Sequence, residues 1–159
     1  MNAVKSKQII SYTVIAIFLV IAFILWNNHI FAGTPPINIG VNNGRLTACP
    51  ATPNCVNSQV SANDNQKIAP IQLSENTPEP IAKLKQVVEL MPRVKIIKET
   101  PNYLYVEFTS KLMGFVDDVE FYLDRDSKTI QVRSASRLGE SDLGVNRQRI
   151  EEIRASLMS

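Results

Sequence analysis

The chain has 159 residues, of which 17 are Lys or Arg and 15 are Asp or Glu. Lys5 and Lys7 precede a long uncharged stretch, so the fifteen basic residues that follow it match the fifteen acidic ones. A chain of this length has room for one compact domain after that stretch. The neutrality of this part disfavours nucleic-acid binding, which normally needs a basic excess.

The first predicted element is a membrane span. Residues 9–26 are almost wholly apolar, and no charged residue lies between Lys7 and Arg45. Eighteen helical residues reach roughly 27 Å, close to the hydrocarbon thickness of a bilayer. We expect a cytoplasmic tail at residues 1–8 and an anchor at residues 9–31. Because the flanking lysines precede the span, the rest of the chain is predicted to lie in the periplasm, anchored to a bacterial inner membrane.

A cleaved signal peptide is the competing interpretation of this apolar run. It is disfavoured because the run exceeds the usual 7 to 15 apolar residues of a signal peptide. Ile30 is also a poor match to the small residue expected two positions before a cleavage site at Ala32.

The next segment, residues 32–48, has neither helical nor strand periodicity and is predicted to be a tether. Cys49 and Cys55 follow it at the start of the predicted extracytoplasmic domain, residues 49–159, and enclose a loop with two prolines. A redox pair normally has two intervening residues, and a zinc site needs more ligands than these two thiolates. The pattern favours a structural disulfide formed in an oxidising compartment over both alternatives.

The rest of the chain predicts an α+β domain. Apolar residues recur at helical spacing over residues 79–91 and 146–157. Between these helices lie four segments rich in β-branched and aromatic residues, at 93–99, 103–110, 115–124 and 128–137. We expect a four-stranded antiparallel meander with both helices on one face of the sheet.

Alternation along the strands predicts a register. A turn at residues 113–114 pairs Phe108 with Val119 and Val106 with Phe121 on the apolar face. A second turn at residues 126–127 adds Ile130 and Val132 to that face. The opposite face then carries a polar and aromatic set that is left to water or to a partner: Tyr105, Glu107, Glu120, Tyr122, Gln131 and Arg133.

Two groups of residues are candidates for chemistry. Glu107 and Glu120 are opposed in this register, where mutual repulsion raises one pKa and creates a candidate general acid for a hydrolase or transferase. The only histidine, His29, lies beside the span, so no histidine-based catalytic set exists in the domain. No metal or cofactor site is predicted.

The second group begins within the last predicted strand and continues into the connection after it, which suits an ordered loop that binds an anion. Its members are Arg133, Arg137, Ser141, Asp142 and Asn146. The structural alternative pairs Arg133 with Glu120, Arg137 with Asp118, and Arg147 with Glu151. For the polar residues of the loop, the alternative is hydrogen bonding that holds the loop against the start of the last helix.

Three ordered segments resemble the domain-of-unknown-function family 1499. They are residues 53–56, residues 114–121 and residues 133–147, and the likeness extends over about residues 45–157. The resemblance implies a compact domain found in bacterial and plant proteins, often attached to a membrane, and it brings no established activity. The leading hypothesis is therefore a membrane-anchored binding or scaffold module for an envelope protein or an anionic ligand. The carboxylate-pair enzyme is the alternative.

Overall fold

A computed structural model describes residues 2–27, 31–61, 64–74 and 77–158. Its first element, α1, is the helix Asn2–Asn27, and the stretch Lys7–Ile24 is long and apolar enough to cross a membrane. Such a helix near an N-terminus serves as an anchor or as a signal sequence. His29 and Ile30, which complete the predicted span, lie outside the described residues.

The domain is built on one six-stranded sheet, so the predicted four-stranded meander is incomplete. The meander itself is β5 (Val94–Thr100), β6 (Tyr103–Thr109), β7 (Val116–Asp124) and β8 (Thr129–Ser136). Two short strands, β3 (Cys55–Asn57) and β4 (Ile71–Gln72), both pair with β8. The strand order is β3-β8-β7-β6-β5, and β4 pairs with the start of β8, whereas β3 pairs with its end. Strands of two or three residues are too short to show an alternating pattern, which is why the sequence did not predict them.

The apolar face of this sheet carries the core, as predicted. The helices α2 (Pro80–Glu89) and α3 (Val145–Met158) pack on it. Phe121 and Ile153 are fully buried, which confirms the period assigned to the strand and to the helix. The core includes these buried side chains: Ile81, Leu84, Val88, Leu104, Val106, Phe108, Val119, Phe121, Leu123, Ile130, Val132, Ile150 and Ile153.

The predicted register is correct between β7 and β8 and wrong between β6 and β7. Phe121 pairs with Val132, as expected, but Val106 pairs with Val119 rather than with Phe121. The cause is the position of the hairpin loop, whose centre lies one residue earlier in the chain than the predicted turn. The amide of Ser110 donates to the carbonyl of Phe115 at 2.8 Å, so the loop spans residues 110–115 instead of turning at residues 113–114. A shift of two residues keeps every side chain on its predicted face.

The segment predicted to be a tether instead packs against the polar face of the sheet. We call residues 31–48 the strap. The strap contains a small hairpin of β1 (Val41–Asn42) and β2 (Arg45–Leu46). Leu46 is buried in a cluster with Tyr103 and Tyr105. The polar face is therefore covered by the protein's own chain and is not left open to water.

Gly33 shows how closely the start of the strap approaches the sheet. A Cβ atom added at this position would lie 2.8 Å from the Cβ of Arg137, and its φ of +66° is unfavourable for other residues. Only glycine fits there without displacing the strap.

Candidate functional site

A buried ionic network lies between the strap and the polar face. At its centre, the guanidinium of Arg137 donates from Nε to Oδ2 of Asp118 at 2.9 Å and from Nη2 to Oδ1 of Asp118 at 2.7 Å. Nη2 also donates to Glu107 and, at 3.4 Å, to the hydroxyl of Tyr105. The Arg137 side chain is 5% exposed, and these carboxylates raise its pKa further above the ordinary value. The pairing of Arg137 with Asp118 is confirmed.

Glu120 occupies a second buried position two residues along β7. Its carboxylate oxygen Oε1 accepts hydrogen bonds from the Tyr103 hydroxyl at 2.8 Å and from the Gly40 amide of the strap at 2.7 Å. Arg133 reaches Oε2 at 3.4 Å, which confirms the predicted pair, and its Nε has no hydrogen-bond partner among the described residues. Burial raises the pKa of Glu120, and the hydrogen bond from Tyr103 offsets only part of this rise. Burial also raises the pKa of Tyr103.

The carboxylate pair predicted from the sequence does not form. In the observed register Glu107 lies opposite Asp118, and Glu120 lies opposite Tyr105. Glu107 is neutralised by Arg137, while Glu120 is fully buried beneath the strap. The two carboxylates therefore share no surface at which a substrate contacts both.

Replacing Glu120 by glutamine tests its buried state through pH. A raised pKa means that folding favours the protonated carboxyl, so this contribution to stability is present below the ordinary pKa of about 4.3 and is lost as pH rises through the raised value. Glu120→Gln keeps an oxygen for Gly40 and Tyr103 but does not ionise. We expect its free energy of unfolding, relative to wild type, to increase as pH rises from about 4 to about 7, by about 1.4 kcal/mol for each unit of pKa shift.

The measurement is urea unfolding of the full chain in detergent at several pH values. Glu151→Gln makes the same change of charge at an exposed position and serves as the control. A constant difference between Glu120→Gln and wild type across this range would contradict the raised pKa.

The β8–α3 loop, residues 137–144, holds the other predicted site residues in structural roles. Asp142 accepts from the Gly144 amide at 3.1 Å and from the Asn146 amide at 2.8 Å, which stabilises the start of α3. The hydroxyl of Ser141 accepts from the Leu143 amide at 3.3 Å. These bonds hold the loop in one conformation.

Asn146 is fully buried and joins three parts of the domain. Its side-chain oxygen accepts from the Ser134 hydroxyl at 2.5 Å and from Arg149 at 2.7 Å, and its nitrogen donates to the Asn54 carbonyl at 3.1 Å and to Ser136 at 3.0 Å. Both faces of the amide are thus used within the protein. Asn146 therefore holds the disulfide loop, β8 and α3 together.

A small cavity of about 290 Å³ lies between this loop and the disulfide. The predicted disulfide Cys49–Cys55 is confirmed, and Cys55 lines the cavity together with Ser141, Asp142 and Arg147. The structural alternative predicted a pair between Arg147 and Glu151, and this prediction is wrong. Glu151 pairs with Arg154 instead. Among the described residues, the guanidinium of Arg147 has one hydrogen bond, from Nη2 to the Asn65 carbonyl at 3.0 Å. It is the partly exposed arginine of this cavity.

A larger, open cleft of about 870 Å³ lies at the opposite end of the sheet. It is bordered by the start of α2, by Thr100 and Pro101, and by the turn that carries Arg125 and Lys128. Within the part of the chain that the structure describes, neither of these basic side chains makes a hydrogen bond that would hold it in a binding geometry. The smaller cavity, whose polar groups are held by a disulfide and by buried hydrogen bonds, is the better candidate site.

Within residues 2–27, 31–61, 64–74 and 77–158, no group of three or more His, Cys, Asp or Glu side chains is arranged to hold a metal ion.

Comparison with known proteins places these features in a family. The model of a family described as protein of unknown function, DUF1499, matches residues 45–157. The chain belongs to the DUF1499 family. No curated protein matches it.

The DUF1499 region begins inside the strap. It includes β2, the disulfide, the complete sheet with α2, and α3 up to Leu157, whereas α1 and residues 31–44 precede it. The candidate cavity and the ionic network therefore lie within the DUF1499 region, except for the hydrogen bond that Gly40 provides.

Sequence reasoning about this DUF1499 domain missed several residues of the network. Tyr103 was assigned no role, and the buried pair of Asp117 with Arg149, 2.6 Å apart, was not predicted. Asn54, whose side chain donates to the Gly139 carbonyl at 2.5 Å, was seen only as part of a motif. The signal that could have identified the network was the alternation of side chains along β7. Asp118 and Glu120 are two carboxylates on one face of a strand rich in apolar residues, which predicts buried charges that need partners.

Proposed function

We propose that this DUF1499 protein is a membrane-anchored binding module that recognises an anionic group, on a small ligand or on an envelope protein, at the cavity beside Arg147. The domain lies on the extracytoplasmic side of a bacterial inner membrane, held by α1 as a single span. Lys5 and Lys7 before the span support this orientation, and the disulfide supports an oxidising compartment.

The state of Arg147 is the single observation that carries the proposal. Arg133 and Arg137 are buried against carboxylates of the protein, so their guanidinium groups are not available to a ligand. Arg147 is partly exposed, lines the cavity, and uses one nitrogen for Asn65. A planar guanidinium with remaining N–H donors binds a carboxylate or a phosphate through parallel hydrogen bonds.

The rest of the cavity is suited to hold such a group in place. Ser141 contributes a hydroxyl, and the loop that carries it is fixed by the bonds of Asp142 to the start of α3. The cavity volume is near the lower limit for small-molecule sites, which favours recognition of one functional group rather than of a large cofactor.

Replacing Arg147 by lysine tests this site. Lysine keeps the charge but loses the planar pair of donors, so we expect binding to weaken about tenfold while stability changes little. The probes are inorganic phosphate and a short peptide with a free C-terminal carboxylate, titrated into the full chain in detergent micelles. Binding is measured by NMR shifts of the backbone amides of residues 141–147.

The matched control is Arg154→Lys, two helical turns further along α3. Arg154 pairs with Glu151 and donates to the Ala69 carbonyl, so its replacement leaves the cavity unchanged. The same peptide with an amidated C-terminus controls for the carboxylate. The anion site would be contradicted if neither phosphate nor the peptide shifted these resonances, or if Arg147→Lys and Arg154→Lys weakened binding equally.

A further inference from the structure

The start of the strap identifies which end of the sheet is near α1. The rings of Phe31 and Phe115 are 5.2 Å apart between centroids, and Phe115 closes the β6–β7 loop. Gly33 approaches Arg137 and Leu138, which follow directly after β8. We call this end of the sheet, where β6 and β8 finish and β5 and β7 begin, the proximal end.

Chain length limits the distance between the proximal end and the apolar span. Only residues 28–30 separate the end of α1 at Asn27 from Phe31. Four Cα–Cα steps of 3.8 Å reach at most about 15 Å. If α1 crosses a bilayer, Phe31 therefore lies at the membrane surface or within one headgroup layer of it, and Phe115 lies beside it.

The proximal end carries a concentration of exposed apolar side chains. Three of the connections that meet there, α2–β5, β6–β7 and β8–α3, contribute at least one: Leu90 (89% exposed), Leu112 (75%), Met113 (50%), Leu138 (40%) and Leu143 (94%). Single exposed leucines are common on protein surfaces, but a group of them at one end indicates an interaction surface.

The opposite end of the sheet provides an internal comparison. Its two strand connections are polar, with Pro101 and Asn102 between β5 and β6 and residues 125–128, Arg-Asp-Ser-Lys, between β7 and β8. The same sheet thus has an apolar end next to the membrane helix and a polar end away from it.

We propose that the proximal end rests on the bilayer that holds α1, with Leu112 and Met113 inserted at the boundary between headgroups and acyl chains. The sheet then stands upright on the membrane, and the strap joins the two without a free tether. This inference rests on the membrane anchor in the proposed function. Lys111 and Arg93 lie at the proximal end, but so do Glu89 and Glu140, so apolar burial rather than charge drives the contact.

Fluorescence quenching in proteoliposomes tests the contact, because Trp26 is the only tryptophan of the chain. In a Trp26→Phe background, Met113→Trp places a probe at the proximal end and Asp126→Trp places one at the polar end. The full chain is reconstituted in phosphatidylcholine vesicles with bromine atoms on the acyl chains. We expect the tryptophan at position 113 to lose fluorescence to an extent comparable with Trp26 in the unmodified chain, and the tryptophan at 126 to lose none.

The three probes separate the failure of this inference from failure of the anchor. If Trp26 is quenched in the unmodified chain and position 113 is not, the anchor stands and the upright contact is overturned. If Trp26 itself is not quenched, the anchor fails and the contact fails with it. Equal quenching at positions 113 and 126 overturns the orientation. A blue shift at position 113 without quenching assigns this end to a protein partner and also overturns the proposal. Leu112→Trp supplies a second reading if Met113→Trp does not fold.

Discussion

Replacing Arg137 by alanine is expected to lower the free energy of unfolding by about 3–5 kcal/mol, because it leaves two carboxylates in the interior without their cation. Asp118 is 2% exposed and Glu107 is 18% exposed, and both are bound to this guanidinium. The Tyr105 hydroxyl also donates to Asp118 at 2.5 Å, but this neutral donor does not neutralise the charge of the carboxylate. Urea unfolding of the full chain in detergent measures the loss.

Lys85→Ala is the matched control for this prediction, since it removes the same charge from a pair on the surface. Lys85 lies 2.8 Å from Glu99, and both side chains are about one third exposed, so we expect a loss below about 1 kcal/mol. Equal losses in the free energy of unfolding of the two variants would show that the Arg137 network stabilises the fold no more than a surface pair does. Such a result would also make Arg137 a candidate ligand-binding group again.

Replacing Leu46 by asparagine is expected to release the strap from the sheet without unfolding the core. Leu46 is buried against Tyr103 and Tyr105. An asparagine at this position loses the free energy of apolar burial and places an amide in an apolar cluster. We expect a loss of about 2–4 kcal/mol in the docking of the strap. Arg45 is the only Lys or Arg between Lys7 and Lys67, so trypsin added outside proteoliposomes cleaves a released strap after Arg45.

The readout is the rate at which a fragment beginning at residue 46 leaves the vesicles. Val41→Asn is the control, because Val41 pairs with Leu46 in the strap hairpin but is exposed. We expect its cleavage rate to match that of wild type. Rapid cleavage of the wild-type chain at Arg45 would contradict a docked strap and would restore the tether predicted from the sequence.

The docked strap changes what α1 does for the domain. A tether of residues 32–48 would let the domain move freely above the membrane, whereas a strap bound at Gly33, Gly40 and Leu46 leaves residues 28–30 as the connection. In the membrane-anchored arrangement that we propose, the domain is held near the bilayer and the cavity beside Arg147 lies at a restricted height above it. Under that proposal, a ligand for the cavity is one that is available at the membrane surface.

Elements with a strong local period could be predicted from the sequence. Helices α2 and α3, the four long strands and the identity of each face all follow from side chains that recur every 3.6 or every two residues. The disulfide followed from the spacing of two cysteines and the absence of other ligands. The register of β7 with β8 was correct because the turn that joins them is centred where it was predicted. The loop from Ser110 to Phe115 is centred one residue before the predicted turn, which shifts the pairing of β6 with β7 by two residues.

By itself, the sequence determined the membrane-length helix, the two-layer α+β core and the set of charged residues on one sheet face, because each depends on neighbours along the chain. Only the tertiary structure decided that this face is buried. The strap that covers it has no periodic pattern, and its hydrogen bond from Gly40 to Glu120 joins residues 80 positions apart. Contacts between residues so far apart form only when the sheet is assembled, and local patterns do not predict them. These contacts neutralise Arg137 inside the protein and leave Arg147 partly exposed at the surface.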